Sequence, residues 1–180
     1  MLLYPTPRAM VKGIWRLPNQ GVIKLNFDAS FVKNDKTATT AVLARNATGE
    51  IVGAETYLFE DITDAFVAEA RACERALIFA SKMCLRRLIV EGDSLTVITN
   101  IQKKKKDKSV LRPITHHIYN LGKCFEVVSY FAVPRVANEA AHTLAMEGRK
   151  RKVCGSWVHG VPGSVRMAAL KDCSAWFQRS

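Results

Sequence analysis

The chain has 180 residues and 27 Lys+Arg against 16 Asp+Glu, for a net charge of +11, which suits one domain or one domain with a tail. With 48% apolar and 24% charged residues it buries a core, which excludes a disordered basic chain. The charge is uneven: residues 1–100 hold 12 basic and 11 acidic side chains and residues 101–180 hold 15 and 5, a bias suited to a polyanion such as nucleic acid.

No run approaches 18 uncharged apolar residues, and Met1 to Met10 carries two prolines where a signal peptide needs an apolar core. Neither a membrane span nor secretion is expected. The five cysteines, Cys73, Cys84, Cys124, Cys154 and Cys173, are odd in number and form no C-x-x-C pair. They read as reduced and mostly structural, in a nuclear or cytoplasmic setting. The glycine-rich phosphate loops are absent.

Residues 1–20 read as an extended lead-in with three prolines. From Ile23 the pattern alternates, with Ile23, Leu25, Phe27, Ala29 and Phe31 on one face and Lys24, Asn26, Asp28 and Ser30 on the other, the mark of a half-buried strand. Runs over Thr39–Asn46 and Ile51–Phe59, joined through Asn46-Ala47-Thr48-Gly49, complete an antiparallel meander. Asp64 then caps a helix with an apolar stripe at Phe66, Ala70, Cys73, Leu77, Ala80 and Cys84. Arg87 to Glu91 reads as a strand buried on both faces. A short helix from Ser94 to about Gln102, the lysine run Lys103–Lys106, and a helix from about Arg112 with Ile114, Ile118 and Leu121 come next. Phe125–Val133 forms a further strand, and a last helix opens near Asn138 and closes at Gly148. The order is β-β-β-α-β-α-α-β-α, giving a domain over 21–148 and a basic tail over 149–180. No internal repeat is evident.

Three acids interrupt this pattern. Asp28 lies near the middle of the first strand, where Asp is disfavoured unless it faces water with Asn26 and Ser30. Glu69 falls on a helix flank lined by Ala65, Ala72 and Ala76, aimed at the sheet edge or bent out to solvent. Asp93 follows the apolar strand at its C-terminal end, a place for ligands or for a helix-start acid beside Ser94. Brought together, three carboxylates raise one another's pKa, and a cation answers that cost. Oxygen donors of this kind suit Mg²⁺ or Mn²⁺, and a pair of ions about 3.5–4 Å apart suits phosphodiester hydrolysis.

The segments Trp15-Arg16-Leu17-Pro18, Gly21 to Asp28, Ala68-Glu69-Ala70-Arg71-Ala72, Glu91-Gly92-Asp93-Ser94 and Arg135 with Asn138 to Ala145 together resemble the ribonuclease H type 1 family, most of all its plant, retroelement-related branch. The resemblance covers about residues 12–148, and the tail at Trp157, Val161-Pro162, Leu170 and Asp172 is similar to the segment C-terminal to the domain in that branch. It implies an α/β fold, a ribonuclease H-like mixed five-stranded sheet flanked by helices, with an antiparallel meander followed by parallel strands. It also implies that Asp28, Glu69 and Asp93 are catalytic metal ligands cleaving the RNA strand of RNA/DNA hybrids.

The family's fourth acid is replaced by His142, which is a softer, neutral ligand better matched to Mn²⁺, or a solvent-facing bystander about 160° from Leu144. Other departures are Ala29 after the first Asp, Thr39-Thr40-Ala41 in place of glycines, and no histidine between Pro134 and Ala137. Lys103–Lys106 with Lys108 and Arg112 stands where some relatives carry a basic protrusion, or is a solvated helix end. Arg149–Lys152 is a nuclear-import signal, a phosphate contact or plain surface.

The expected function is therefore a metal-dependent endoribonuclease acting on RNA/DNA hybrids, using Mg²⁺ or Mn²⁺ and two ions, with Asp28, Glu69, Asp93 and His142 as the site. The alternative is a catalytically impaired nucleic-acid-binding module derived from a retroelement. The sequence does not fix the oligomeric state.

Overall fold

Ile23 to Phe59 folds as the expected meander in this computed structural model, which describes residues 13–103, 110–152, 154–158 and 160–179. Strand β1 (Ile23–Val32) pairs antiparallel with β2 (Thr37–Arg45), and β2 with β3 (Ile51–Phe59). The β2–β3 turn places Gly49 at φ 82°, its N–H donating to the Asn46 carbonyl at 3.0 Å, a left-handed conformation that glycine adopts without strain.

Helix α1 (Ala65–Lys82) begins where Asp64 accepts from the Phe66 and Val67 amides, the cap its position predicts. Its stripe is narrower than the sequence implies. Ala70, Cys73, Leu77 and Ala80 are buried, while Phe66 and Cys84 at the two ends are exposed.

Strand β4 (Arg87–Gly92) then enters parallel to β1, and β5 (Val127–Ala132) runs parallel to β4. The two are linked by α2 (Leu95–Gln102) and α3 (Arg112–Gly122), the latter with Pro113 in its first turn. Lys104, Lys105, Lys106 and Lys108 of the basic run lie outside the described residues, as does the lead-in before Gly13.

After a 3₁₀ turn over Arg135–Asn138, α4 (Glu139–Arg151) crosses the other face of the sheet. It does not close at Gly148. The helix continues to Arg151, and Lys152 takes the left-handed position at φ 50°. Gly148 serves close approach instead, since a Cβ there would stand 2.8 Å from Thr56 Cγ2 and 2.9 Å from Thr39 Cγ2.

The sheet has six strands rather than five, in the order β5-β4-β1-β2-β3-β6. The sixth, β6 (Gly155–Trp157), and helix α5 (Gly163–Phe177) lie within the basic segment 149–180. Three residues carry too little alternation to be read as a strand, and pairing with Ala54–Thr56 of β3 supplies what local pattern does not. No helix among the described residues is long and apolar enough to cross a membrane.

Helices thus cover both faces. On one side α1 and α3 close over Leu25, Phe27, Val42 and Ala44, and on the other α4 and α5 close over Ala41, Leu43 and Ala54. The half-buried reading of β1 is corrected accordingly. Lys24, Asn26 and Asp28 are 0–1% exposed, because α4 lies on the face that alternation assigned to water.

Candidate functional site

Asp28, Glu69 and Asp93 converge. Each offers a carboxylate oxygen, and those atoms all lie within 4.8 Å of one another. The meeting point is set by the register. The β1–β4 pairing ends at Asn26 and Glu91, so β1 runs on past the end of β4 and Asp28 stands beside the opened edge. Asp93 comes directly after the last residue of β4, and Glu69 reaches the same spot from the second turn of α1, where Ala68, Ala72 and Ala76 are fully buried and let the helix close on the sheet.

Gly92 belongs to this arrangement, since a Cβ there would meet the Phe27 ring at 2.3 Å. Only glycine lets the end of β4 lie over that ring and deliver Asp93 beside Asp28.

The electrostatics are those of crowded acids. Burial holds the Asp28 carboxyl above the ordinary Asp value, helped by Asp93, and Arg135 and His142 only partly oppose it. Glu69 is pushed well above its ordinary value, by burial first, then by the charges of Asp28 and Asp93 and a hydrogen bond with Asp28, against the Ala29 amide. Its Oε2 is shut off from solvent and has no hydrogen-bond partner. Such an atom is costly unless a hydrogen-bond donor or a cation meets it. Three clustered carboxylates and one orphaned oxygen fit a hard divalent cation such as Mg²⁺ or Mn²⁺.

His142 stands against Asp28, its Nδ1 2.8 Å from Oδ2, with the side chain 28% exposed. It is therefore no solvent-facing bystander, although it is not one of the group of three. Arg135, from the 3₁₀ turn, donates to Asp93 Oδ2 at 2.5 Å, lies 3.5 Å from Asp28 Oδ1 and also contacts the His142 ring. Partial burial works against the charge on Arg135, and the bond to Asp93 and the charges of Asp28 and Asp93 outweigh it.

Sequence reasoning placed Arg135 among the residues that carry the resemblance but assigned it no chemical role. Asn138 stands at the N-cap of α4, as the reading of where the last helix opens expects. It precedes α4 but makes no cap bond with its side chain, which instead donates to the Phe27 carbonyl at 2.8 Å.

Residues 26–148 match the model of a family described as reverse transcriptase-like. No curated protein matches by sequence. Among solved structures, the chain is similar to RNase H1 from the halophilic archaeon Halobacterium salinarum, at 24% identity and a TM-score of 0.67 over 72% of this chain and 98% of that one. It is also similar to the N-terminal RNase H domain of a Mycobacterium tuberculosis protein, at 22% identity and a TM-score of 0.65 over 72% and 94%. A third is LC11-RNase H1, a protein isolated from compost by a metagenomic approach, solved in complex with an RNA/DNA hybrid, at 21% identity and a TM-score of 0.63 over 72% and 98%.

Proposed function

We propose, from the premise that this chain belongs to the reverse transcriptase-like family, that it is a divalent-metal-dependent endoribonuclease cutting the RNA strand of RNA/DNA hybrids. The observation that carries this reading is the cluster of Asp28, Glu69 and Asp93 with its orphaned Glu69 oxygen. Its support is the RNase H-like fold and the hybrid bound by the LC11 protein.

Asp28, Glu69 and Asp93 would hold the cation, Mg²⁺ or Mn²⁺, and a pair of ions is the form of the chemistry we propose. Bound there, it would offset the acids' mutual repulsion and polarise a phosphodiester oxygen. The chain's own residues set the rest. His142, hydrogen-bonded to Asp28, keeps that carboxylate oriented. Arg135, half-exposed at 50%, offers its guanidinium to a phosphate once the acids no longer engage it. A hybrid would be told from duplex DNA through its 2′-hydroxyls. A nuclear or cytoplasmic setting is part of the proposal, from an odd number of cysteines with no C-x-x-C pair in the sequence.

The test is cleavage of a hybrid labelled on the RNA strand, in Mg²⁺ and in Mn²⁺. Cleavage with at least one metal that disappears in Asp28→Asn is the expected result, and no cleavage with either overturns the reading. A second reading, a retroelement-derived module that binds hybrid without cutting, is favoured by Arg135, whose charge already bridges Asp28 and Asp93. Hybrid binding without cleavage, unrescued in His142→Asp, is its signature.

A further inference from the structure

A second polar layer, which the proposed chemistry does not use, underlies the three acids. Asn26 stands two residues before Asp28 on β1, where side chains repeat every two residues, so it shares the face of Asp28, and Glu91 is its register partner on β4. Glu91 accepts from Lys24 Nζ at 2.8 Å and from Asn26 Nδ2 at 3.0 Å. Asn26 Nδ2 also reaches Asn138 Oδ1 at 3.3 Å, and Asn138 Nδ2 donates to the carbonyl of Phe27, the residue next to Asp28. On its other side Asn26 Oδ1 accepts from Trp15 Nε1 at 3.0 Å and from Arg45 Nη2 at 2.9 Å. Arg45 Nη1 donates to Asp172 Oδ2 on α5 at 2.7 Å, and its guanidinium lies 3.7 Å from the Trp15 ring centroid.

Every member is buried, from 0% exposure at Arg45 and Asn26 to 8% at Asp172. Inside a protein such groups are costly to leave unpaired, so each fixes the next. With two donors at its oxygen, the Asn26 amide must turn its NH₂ toward Glu91 and Asn138. Asn138 in turn pins β1 at the residue before Asp28 and stands one turn before His142 on α4.

We propose that Asp172 and Trp15, from opposite ends of the chain, are positioning residues for the acidic site. They hold Arg45 and the Asn26 oxygen, and through Asn26 and Asn138 they fix where Asp28 and His142 sit. This role rests on the metal-site reading above. The residues contact no reacting atom, so they affect how tightly a metal is held and how fast the bond is cut, and they leave the grip on the hybrid largely alone.

The test is calorimetric titration of Mn²⁺ into wild type, Asp172→Asn, Trp15→Phe and Leu170→Ala, with kcat and KM measured on a hybrid. Asp172→Asn is expected to weaken Mn²⁺ binding about tenfold and to lower kcat about as much, as outlying partners of ligands do, with KM nearly unchanged. Trp15→Phe keeps the ring over Arg45 and removes one hydrogen bond, so it gives a smaller shift in the same direction, and it decides the matter if Asp172→Asn does not fold. Leu170→Ala, on the outer face of α5 at 54% exposure, leaves both quantities unchanged. Variants that melt earlier yet bind Mn²⁺ and turn over like wild type overturn the positioning role alone. A wild type that binds no Mn²⁺ overturns the metal site and the positioning role with it.

Discussion

At the scale of single residues, the site is a contest between repulsion among acids and the cations that relieve it. Asp28→Asn is expected to lower hybrid cleavage by at least about a hundredfold, since its carboxylate touches both His142 and Arg135 and a neutral amide would hold the proposed cation far more weakly than a carboxylate. Glu69 makes a separate prediction through pH. Its folded pKa is raised, so it contributes stability below the ordinary Glu value of about 4.3 and loses it as pH rises through the folded value. In EDTA, the melting temperature of wild type relative to Glu69→Gln should therefore fall as pH rises from 5 to 8. Saturating Mg²⁺ should remove that dependence, and a pH-independent difference in EDTA would count against it. Asp28 was legible in the sequence because an Asp inside an alternating strand is out of place. Its burial was not, because alternation says which residues share a face and nothing about what covers that face.

At the scale of elements, the positions that matter are those where backbones come close. Gly148 lies against Thr39 and Thr56, so Gly148→Val overpacks the contact between α4 and the β2–β3 pair. A loss of about 1–3 kcal/mol in denaturant unfolding is expected, although valine exceeds glycine in helix propensity. An unchanged midpoint would show that α4 does not need this approach. The five larger strands and the helices up to α4 were legible from periodicity, and β3 was placed residue for residue. Gly148 misled the reading because a glycine near a helix end has two uses, a left-handed stop or a close contact, and only the partner surface tells them apart. Helix α5 lacked a signal of another kind. Met167, Leu170 and Phe177 are exposed on it while Asp172 is buried, so its apolar residues do not mark the buried face.

At the scale of the whole molecule, the charge divides into an acidic notch and a surplus of cations on the surface. Hybrid binding should be strongly salt-dependent, weakening at least about tenfold between 50 and 200 mM salt, as displacement of counterions from several phosphates requires. Neutralising Arg149, Lys150, Arg151 and Lys152 together should flatten that slope if the end of α4 meets the backbone, and leave it unchanged if it does not. Composition made the surplus of positive charge legible. Which cations are spent inside the fold was hidden, because Lys24 and Arg45 look like surface residues and are 0–1% exposed.

The bond between Arg45 and Asp172 also bears on how the protein is made. The two residues are 127 positions apart, and at about 5–20 residues per second of synthesis the arginine waits on the order of 6–25 s for its partner. Until then Arg45 has Asn26 and the Trp15 ring beside it but not the carboxylate that meets its charge. Consolidation of this buried layer is thereby tied to the making of α5, so a chain cut short before Asp172 would carry every proposed metal ligand and still lack the partner of Arg45.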